Sequence, residues 1–430
     1  MSADIATGSG PLPAHTGNGG GFANLRIVTQ PLLHLSVGIW IFAGGFVFIE
    51  PSPYELMFLL VLPLALIARV GLHRGTLNLF NLMAFFTPFA LIAAFQSTYL
   101  SPTEALIYVC VTIFLLFTSY FLSNYVADAP YERMRIIMRA YTITAVISAL
   151  IGLLAYLQLM PRSDLFLLYG RAKSMFQDPN VFGPFLVLPA MFALQKVLLG
   201  KKSSAILPAL VFGILFLGVF ASFSRAAWGN FVLASILVFC LCFLIEAGAR
   251  QKVRMMILAL AGAAILATSI VGLLTIPSVS RLFEDRTSVT QTYDGGETGR
   301  FGRQGYAFDL ALQHPWGLGP SEFRYLRIKE EPHNTYVNVL HAYGWGGGLA
   351  YWVLVVLTLR RGFGTLVKRS PNRLLMIPLI STYFPLAIEA GIVDTDHWRH
   401  YFLIVGLIWG VSAGYKRLSK EQTEPEMALI

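Results

Sequence analysis

Apolar residues run through this chain in long unbroken blocks separated by short polar connections. The blocks occupy residues 32–49, 53–70, 77–95, 103–122, 137–157, 181–199, 205–220, 227–245, 255–276, 336–359, 374–388 and 401–415. Each comes close to or exceeds the length a helix needs to cross about 30 Å of hydrocarbon. Short segments alternating apolar and polar residues, as in an outer-membrane barrel, are not seen. The pattern predicts an all-α polytopic membrane protein with about twelve transmembrane helices. Residues 1–24 are rich in Gly, Ala and Ser and read as a disordered cytoplasmic tail. They lack the basic start of a signal peptide. Residues 25–417 form a single transmembrane domain, and 418–430 a second cytoplasmic tail.

One polar stretch interrupts this pattern. Residues 277–334 lie between two apolar runs and carry Arg281, Arg286, Arg300, Arg303, His314, Arg324, Arg327 and His333. Residues 299–315 read as a short helix stopped by Pro315. Arg300, Arg303, Ala307, Leu310 and His314 share one stripe at helical spacing. Such a stripe aims two guanidiniums the same way, a match for phosphate oxygens. The competing reading is a solvated surface helix. Gly317-Leu318-Gly319-Pro320 makes a tight turn and is no nucleotide loop, since no strand precedes it.

Charge sharpens the topology. Only 13% of residues are charged, against about a quarter in soluble domains. The net charge of +9 does not point to nucleic acid, because the basic residues collect at helix ends on one side. With the N-terminus inside, 20 of the 32 Lys and Arg fall in inward connections. The positive-inside rule then places both termini in the cytoplasm and 277–334 outside. The three cysteines, Cys110, Cys240 and Cys242, lie within apolar runs and read as core residues, not disulfide or metal ligands.

Arginines on the outer side oppose that rule, so they need another reason to be there, and anion binding is one. Arg171 and Lys173 precede Asp178-Pro179-Asn180, a good helix start; a plain loop with a cap is the alternative. Arg225 sits in a very short turn at the membrane surface, where a cation marks a site or snorkels to a headgroup. His333 precedes Asn334 and Thr335, either of which can cap the next helix. The positive end of that helix favours neutral imidazole, the form a general base needs. A lone His is more often structural. Asp394-Thr395-Asp396-His397-Trp398-Arg399-His400 invites a metal-binding Asp-x-Asp reading. Two acids two apart do not share a helix face, so a capped helix start ion-paired with Arg399 is at least as good. Glu389 and Asp394 are candidates for orienting a base. Gly344 and Gly346 to Gly348 permit close helix packing within the tenth span.

Arg171 before Asp178-Pro179-Asn180, Ser224-Arg225, Gly299-Arg300, His314-Pro315, Gly317-Leu318-Gly319 and His333-Asn334 follow one another in a telling order. In order and membrane placement they resemble the O-antigen ligase and O-antigen polymerase superfamily of bacterial envelope glycan enzymes. The resemblance covers roughly residues 170–417; the first five spans match by hydropathy alone. It implies a GT-C-like glycosyltransferase of the bacterial inner membrane with 277–334 as a long periplasmic loop containing short helices. Glycan would pass from undecaprenyl diphosphate to an acceptor hydroxyl. Ligases use lipid A–core as acceptor, polymerases a second lipid-linked unit, and related members glycosylate proteins. The resemblance implies diphosphate binding by Arg171, Arg225 and Arg300, with Arg225, Arg300 and His333 catalytic; the residue pattern adds Lys173 and Arg303 to the diphosphate binders. Asn334, His314, Asp394 and Asp396 are further candidates, and no metal or other cofactor is implied. Ligation is preferred over polymerisation by a small margin. A twelve-span transporter or flippase is the alternative of another class. It is disfavoured because no internal repeat is seen and the ionisable residues collect at one face.

Overall fold

The computed structural model describes residues 19–287, 295–326, 329–368, 370 and 372–427. Arg327 and the side chain of Arg286 lie outside the described residues, as do residues 1–18 of the expected tail. The described residues are predominantly helical. In order come α1 (Gly19–Ala43), α2 (Pro53–Ile67), α3 (Leu77–Gln96), α4 (Pro102–Asp128) and α5 (Pro130–Tyr156). A two-stranded hairpin follows, β1 (Leu167–Leu168) and β2 (Arg171–Ala172). Then come α6 (Pro179–Phe185), α7 (Val187–Leu199), α8 (Ile206–Ala221), α9 (Arg225–Leu241) and α10 (Ala249–Leu274). The polar stretch holds α11 (Pro277–Thr287) and α12 (Arg300–Gln313). The chain ends with α13 (Thr335–Val367), α14 (Arg373–Glu389) and α15 (Arg399–Met427).

Every apolar block of the sequence lies in or largely overlaps helix. Among the described residues, seven helical runs are long and apolar enough to cross a membrane, and three shorter apolar helices accompany them. Helix ends obey local chemistry. Ser52 and Ser101 form capping boxes with Glu55 and Glu104. Asp178 caps α6, its carboxylate accepting from the Asn180 amide at 2.6 Å. Three departures from expectation concern boundaries. Helix α1 reaches back to Gly19, into the segment read as a tail, and α15 continues to Met427 through most of the other one. The sixth block divides at Leu186 into α6 and α7.

The larger departure is in the tenth block, expected as one continuous span over 336–359. Gly344 has φ 71° and ψ −176°, which no helix tolerates. The Trp352 indole donates to the Tyr336 carbonyl at 3.2 Å across 16 positions. In a straight helix those levels would be about 24 Å apart. Residues 335–343 and 345–367 are therefore two helices folded back on each other, with the Tyr336 and Tyr351 rings 6.3 Å apart. The turn after α12 docks into the break. Trp345 N donates to Pro315 O at 2.9 Å, Leu318 N to His341 O at 2.8 Å and Gly319 N to Ala342 O at 3.1 Å. A Cβ on Gly317 would lie 2.6 Å from the Ala342 carbonyl oxygen, so only glycine admits this backbone approach. The reversal gives the start of α13 a place among other helices, and His333 sits at that start.

Candidate active site

His333 adopts a left-handed backbone (φ 54°), uncommon outside glycine. Several neighbours hold that conformation. Asn334 caps α13, its side-chain oxygen accepting from the Tyr336 and Val337 amides at 3.1 and 3.3 Å. Gln304 of α12 donates to the His333 carbonyl at 3.1 Å. Thr335 N donates to the Ala390 carbonyl at 2.8 Å, and its hydroxyl to the Val393 carbonyl at 3.0 Å. The ring is thereby aimed at the 393–400 segment, where its Nδ1 lies 3.0 Å from Asp394 Oδ2. An ionised Asp394 accepts from Nδ1–H, which leaves the Nε2 lone pair as a proton acceptor. The imidazole is 37% exposed, enough for a substrate hydroxyl to reach it.

Burial pushes the Asp394 carboxyl up from its ordinary range, and the His333 hydrogen bond opposes that. Glu331, two residues before His333, is pushed up to about 7, mostly by burial and then by Asp394. Arg324 and His333 pull in the other direction, so all four groups share one electrostatic neighbourhood. Arg324 also lines a cavity of about 400 Å³ with Glu50, Glu55, Glu104, Tyr108 and His397. His397 and Arg399 separate it from a second cavity of about 160 Å³, bounded by Phe176, Gln177 and Val181.

The acids of 394–400 differ in their partners. Asp396 accepts from Asn338 at 3.2 Å and lies 3.3 Å from His397 Nδ1. Arg399 pairs with neither Asp394 nor Asp396, contrary to the expected ion-paired helix start. It bonds Glu55 at 2.6 Å and Glu50 at 3.3 Å, tying α15 to α2. Glu389, a candidate for orienting a base, is buried and accepts from Asn230 of α9 at 2.7 Å. The two-apart acids thus serve different neighbours, one the imidazole and one α13.

The arginines divide as well. Arg171 is buried; its Nε donates to the Ser222 carbonyl at 2.9 Å and its Nη2 to Asn180 at 3.0 Å. It straps β2 to the turn that carries Arg225, the first residue of α9, whose cap is Ser224. Lys173 stands over the Phe48 ring at 5.5 Å. On α12, Arg303 is turned inward and pairs with Glu330, so the stripe it shares with Ala307 and Leu310 is a packed face. Arg300 stands one turn before Gln304, the residue bonded to His333. His314 ends the same helix with Nδ1 3.0 Å from the Leu310 carbonyl. Ten positions from Gln304, it is about 15 Å further along the axis and outside the His333 cluster.

Residues 210–352 match a family model described as O-antigen ligase. The match supports a relation of that region, a third of the chain, to the O-antigen ligase and polymerase superfamily. The matched stretch of the ligase family includes Arg225, Arg300, Arg303, His314, His333 and Asn334, and it ends at Trp352, which closes the reversal of α13. Arg171, Lys173, Asp394 and Asp396 lie beyond it. The match supports an activity of the ligase or polymerase type, that of a membrane glycosyltransferase-like enzyme. No curated protein matches the chain.

Sequence reasoning misses Gln304, Glu331 and Asn338. Gln304 follows Arg300 by one helical turn, and that spacing is the available signal. Glu331 and Asn338 give none, since their importance depends on the 393–400 segment folding over them.

Proposed function

We propose that the protein transfers an oligo- or polysaccharide from undecaprenyl diphosphate to an acceptor hydroxyl at the periplasmic face of the bacterial inner membrane, with O-antigen ligation to lipid A–core as the favoured reaction. In this reading about twelve spans cross the membrane and both termini are cytoplasmic. The observation that carries the chemistry is the partly exposed His333–Asp394 pair beside the start of α12. His333 Nε2 takes the proton of the acceptor hydroxyl while Asp394 holds the ring and stabilises the imidazolium. The acceptor oxygen attacks the anomeric carbon, the bond to the diphosphate breaks, and configuration inverts. Negative charge grows on the diphosphate, where Arg225 and Arg300 supply bidentate, permanently protonated donors without a metal. Lys173, over the Phe48 ring, adds positive charge on the same outer side. Arg171, which bonds Ser222 and Asn180, and Arg303, which pairs with Glu330, position the Arg225 turn and the approach to His333.

One observation favours a second reading, the joining of two lipid-linked repeat units. The carboxylates of the 400 Å³ cavity (Glu50, Glu55, Glu104) outnumber its cations (Arg324, Arg399), which disfavours a phosphorylated core as acceptor.

Proteoliposomes supplied with undecaprenyl-diphosphate glycan and either lipid A–core or a second lipid-linked unit test both. Transfer to core supports ligation; chain growth supports polymerisation. His333→Ala should lower transfer by about 10²–10⁴-fold. Full transfer by both His333→Ala and Arg300→Ala would sink the catalytic assignment.

A further inference from the structure

A cavity of about 970 Å³ lies far from His333, between the first half of α5, the second half of α7 and the start of α8. Ligand sites commonly span about 300–1,000 Å³. Its walls are apolar: Met138, Ile143, Phe192, Ala193, Leu207 and Val211. Its rim carries Arg135, Arg139 and Lys196 against one acid, Glu132. Arg135 and Arg139 are four apart on α5 and so project from one helix face.

Nearby cations are engaged by the protein itself. Arg133 pairs with Asp128 at 2.8 Å, and Arg254 donates to the Gly200 and Val197 carbonyls at 2.5 and 3.1 Å. Arg135, Arg139 and Lys196 are exposed and make no ion pair among the described residues. Three cations therefore border an apolar groove between helices. That arrangement fits a molecule with a phosphate head and hydrocarbon chains.

The groove is also at the wrong height for the lipid-linked group at the other end. Helix α8, whose start lines the groove, reaches the Arg171 cluster just past its other end, at Ser222. Ser222 lies 14 positions after Pro208, an offset of about 21 Å along the axis. One headgroup cannot serve both levels.

We propose that this groove binds an anionic phospholipid of the leaflet opposite the His333 site. The phosphate sits at Arg135, Arg139 and Lys196, and the acyl chains lie along α5, α7 and α8. The bound lipid seals the gap between these helices and so supports the bundle that carries Arg171 and the Arg225 turn.

Native mass spectrometry of the full-length protein in detergent tests this, titrating phosphatidylglycerol against phosphatidylcholine of identical chains. Phosphatidylglycerol is expected to be retained preferentially. The Arg135→Gln/Arg139→Gln/Lys196→Gln protein should lose its affinity for that lipid by about 100-fold, and Lys196→Gln alone by about fivefold. Ala193→Phe keeps the cations and fills the groove, and should weaken retention of both lipids. Lys196→Gln is at an exposed position, so its result stands even if the triple variant fails to fold. Equal retention of the two lipids by the unaltered protein would overturn the proposal. So would unchanged binding in Lys196→Gln or in Ala193→Phe. Displacement of phosphatidylglycerol by equimolar polyprenyl phosphate would assign the groove to a prenyl chain instead. None of these readouts uses glycan transfer, so they stand or fall separately from the enzymatic reading.

Discussion

Two close backbone contacts in this molecule are built on glycine, and they serve opposite ends. Helices α4 and α15 lie side by side and parallel. Gly406, Gly410 and Gly414 recur every fourth residue on the face of α15 that meets α4. A Cβ at Gly406 would lie 2.7 Å from the Ser119 carbonyl oxygen, and one at Gly410 2.7 Å from the Val126 Cβ. The Ser119 hydroxyl donates to the Phe402 carbonyl at 2.6 Å across this seam. Here glycine stays helical and removes bulk, as in close helix pairs of other membrane proteins. In α13, Gly344 abandons helical geometry and turns the chain back on itself. The first contact builds a rigid scaffold, and the second turns the start of α13 back among other helices, where His333 meets Asp394. Absence of a side chain is used for proximity in one place and for backbone freedom in the other.

That contrast can be broken experimentally. Asp394→Asn should have the largest effect, lowering kcat by about 10²–10³-fold with KM little changed, because the imidazole loses its orienting anion. Single-turnover transfer measures this, and an effect on KM alone would move Asp394 out of the mechanism. Gly344→Ala should cost about 3 kcal/mol, since its φ and ψ are nearly exclusive to glycine and the new methyl would collide with the Pro315 carbonyl. Both folded yield and rate per folded molecule should fall. Gly410→Ala should cost about 2 kcal/mol through overpacking against Val126. Its folded yield should drop while the rate per folded molecule holds. If it loses rate instead, the scaffold and the site are not separate. Gln304→Leu removes the donor to the His333 carbonyl and should slow transfer about tenfold.

The smallest effect is a pH dependence at Glu331. Its carboxyl is pushed up to about 7 in the fold by burial and Asp394, above its ordinary 4.5. A raised acid favours the folded state while protonated. Its contribution is complete below about pH 4.5 and is lost as pH rises through about 7. Glu331→Gln should therefore raise the unfolding temperature by a degree or two at pH 8 and leave it unchanged at pH 4.5. A larger gain at the lower pH would contradict the assignment.

Local features are legible in the amino-acid sequence. The Asp178 and Asn334 caps and the helix over 300–313 follow from side chains within four residues of the backbone they serve. The pairing of His333 with Asp394 joins positions 61 apart, and that of Arg399 with Glu55 joins positions 344 apart. Local pattern selects neither partner, and on its own it matches Arg399 with the nearby aspartates. Gly344 has the pattern of a packing glycine because its neighbours are apolar, the same context that surrounds Gly410. Nothing local distinguishes a glycine that stays helical from one that leaves the helix.

By itself the sequence determined the helical class, the apolar blocks and the polar stretch between α10 and α13. Those follow from what lipid and water demand of each residue and from hydrogen bonds within one helical turn. Only the tertiary structure decided that the tenth block doubles back, that residues 315–319 enter the break, and that Arg171, Arg303 and Arg399 find the partners they have. Those outcomes depend on which distant backbones come within about 3 Å of one another. That choice is made by packing the whole bundle and is carried by no single segment of the chain.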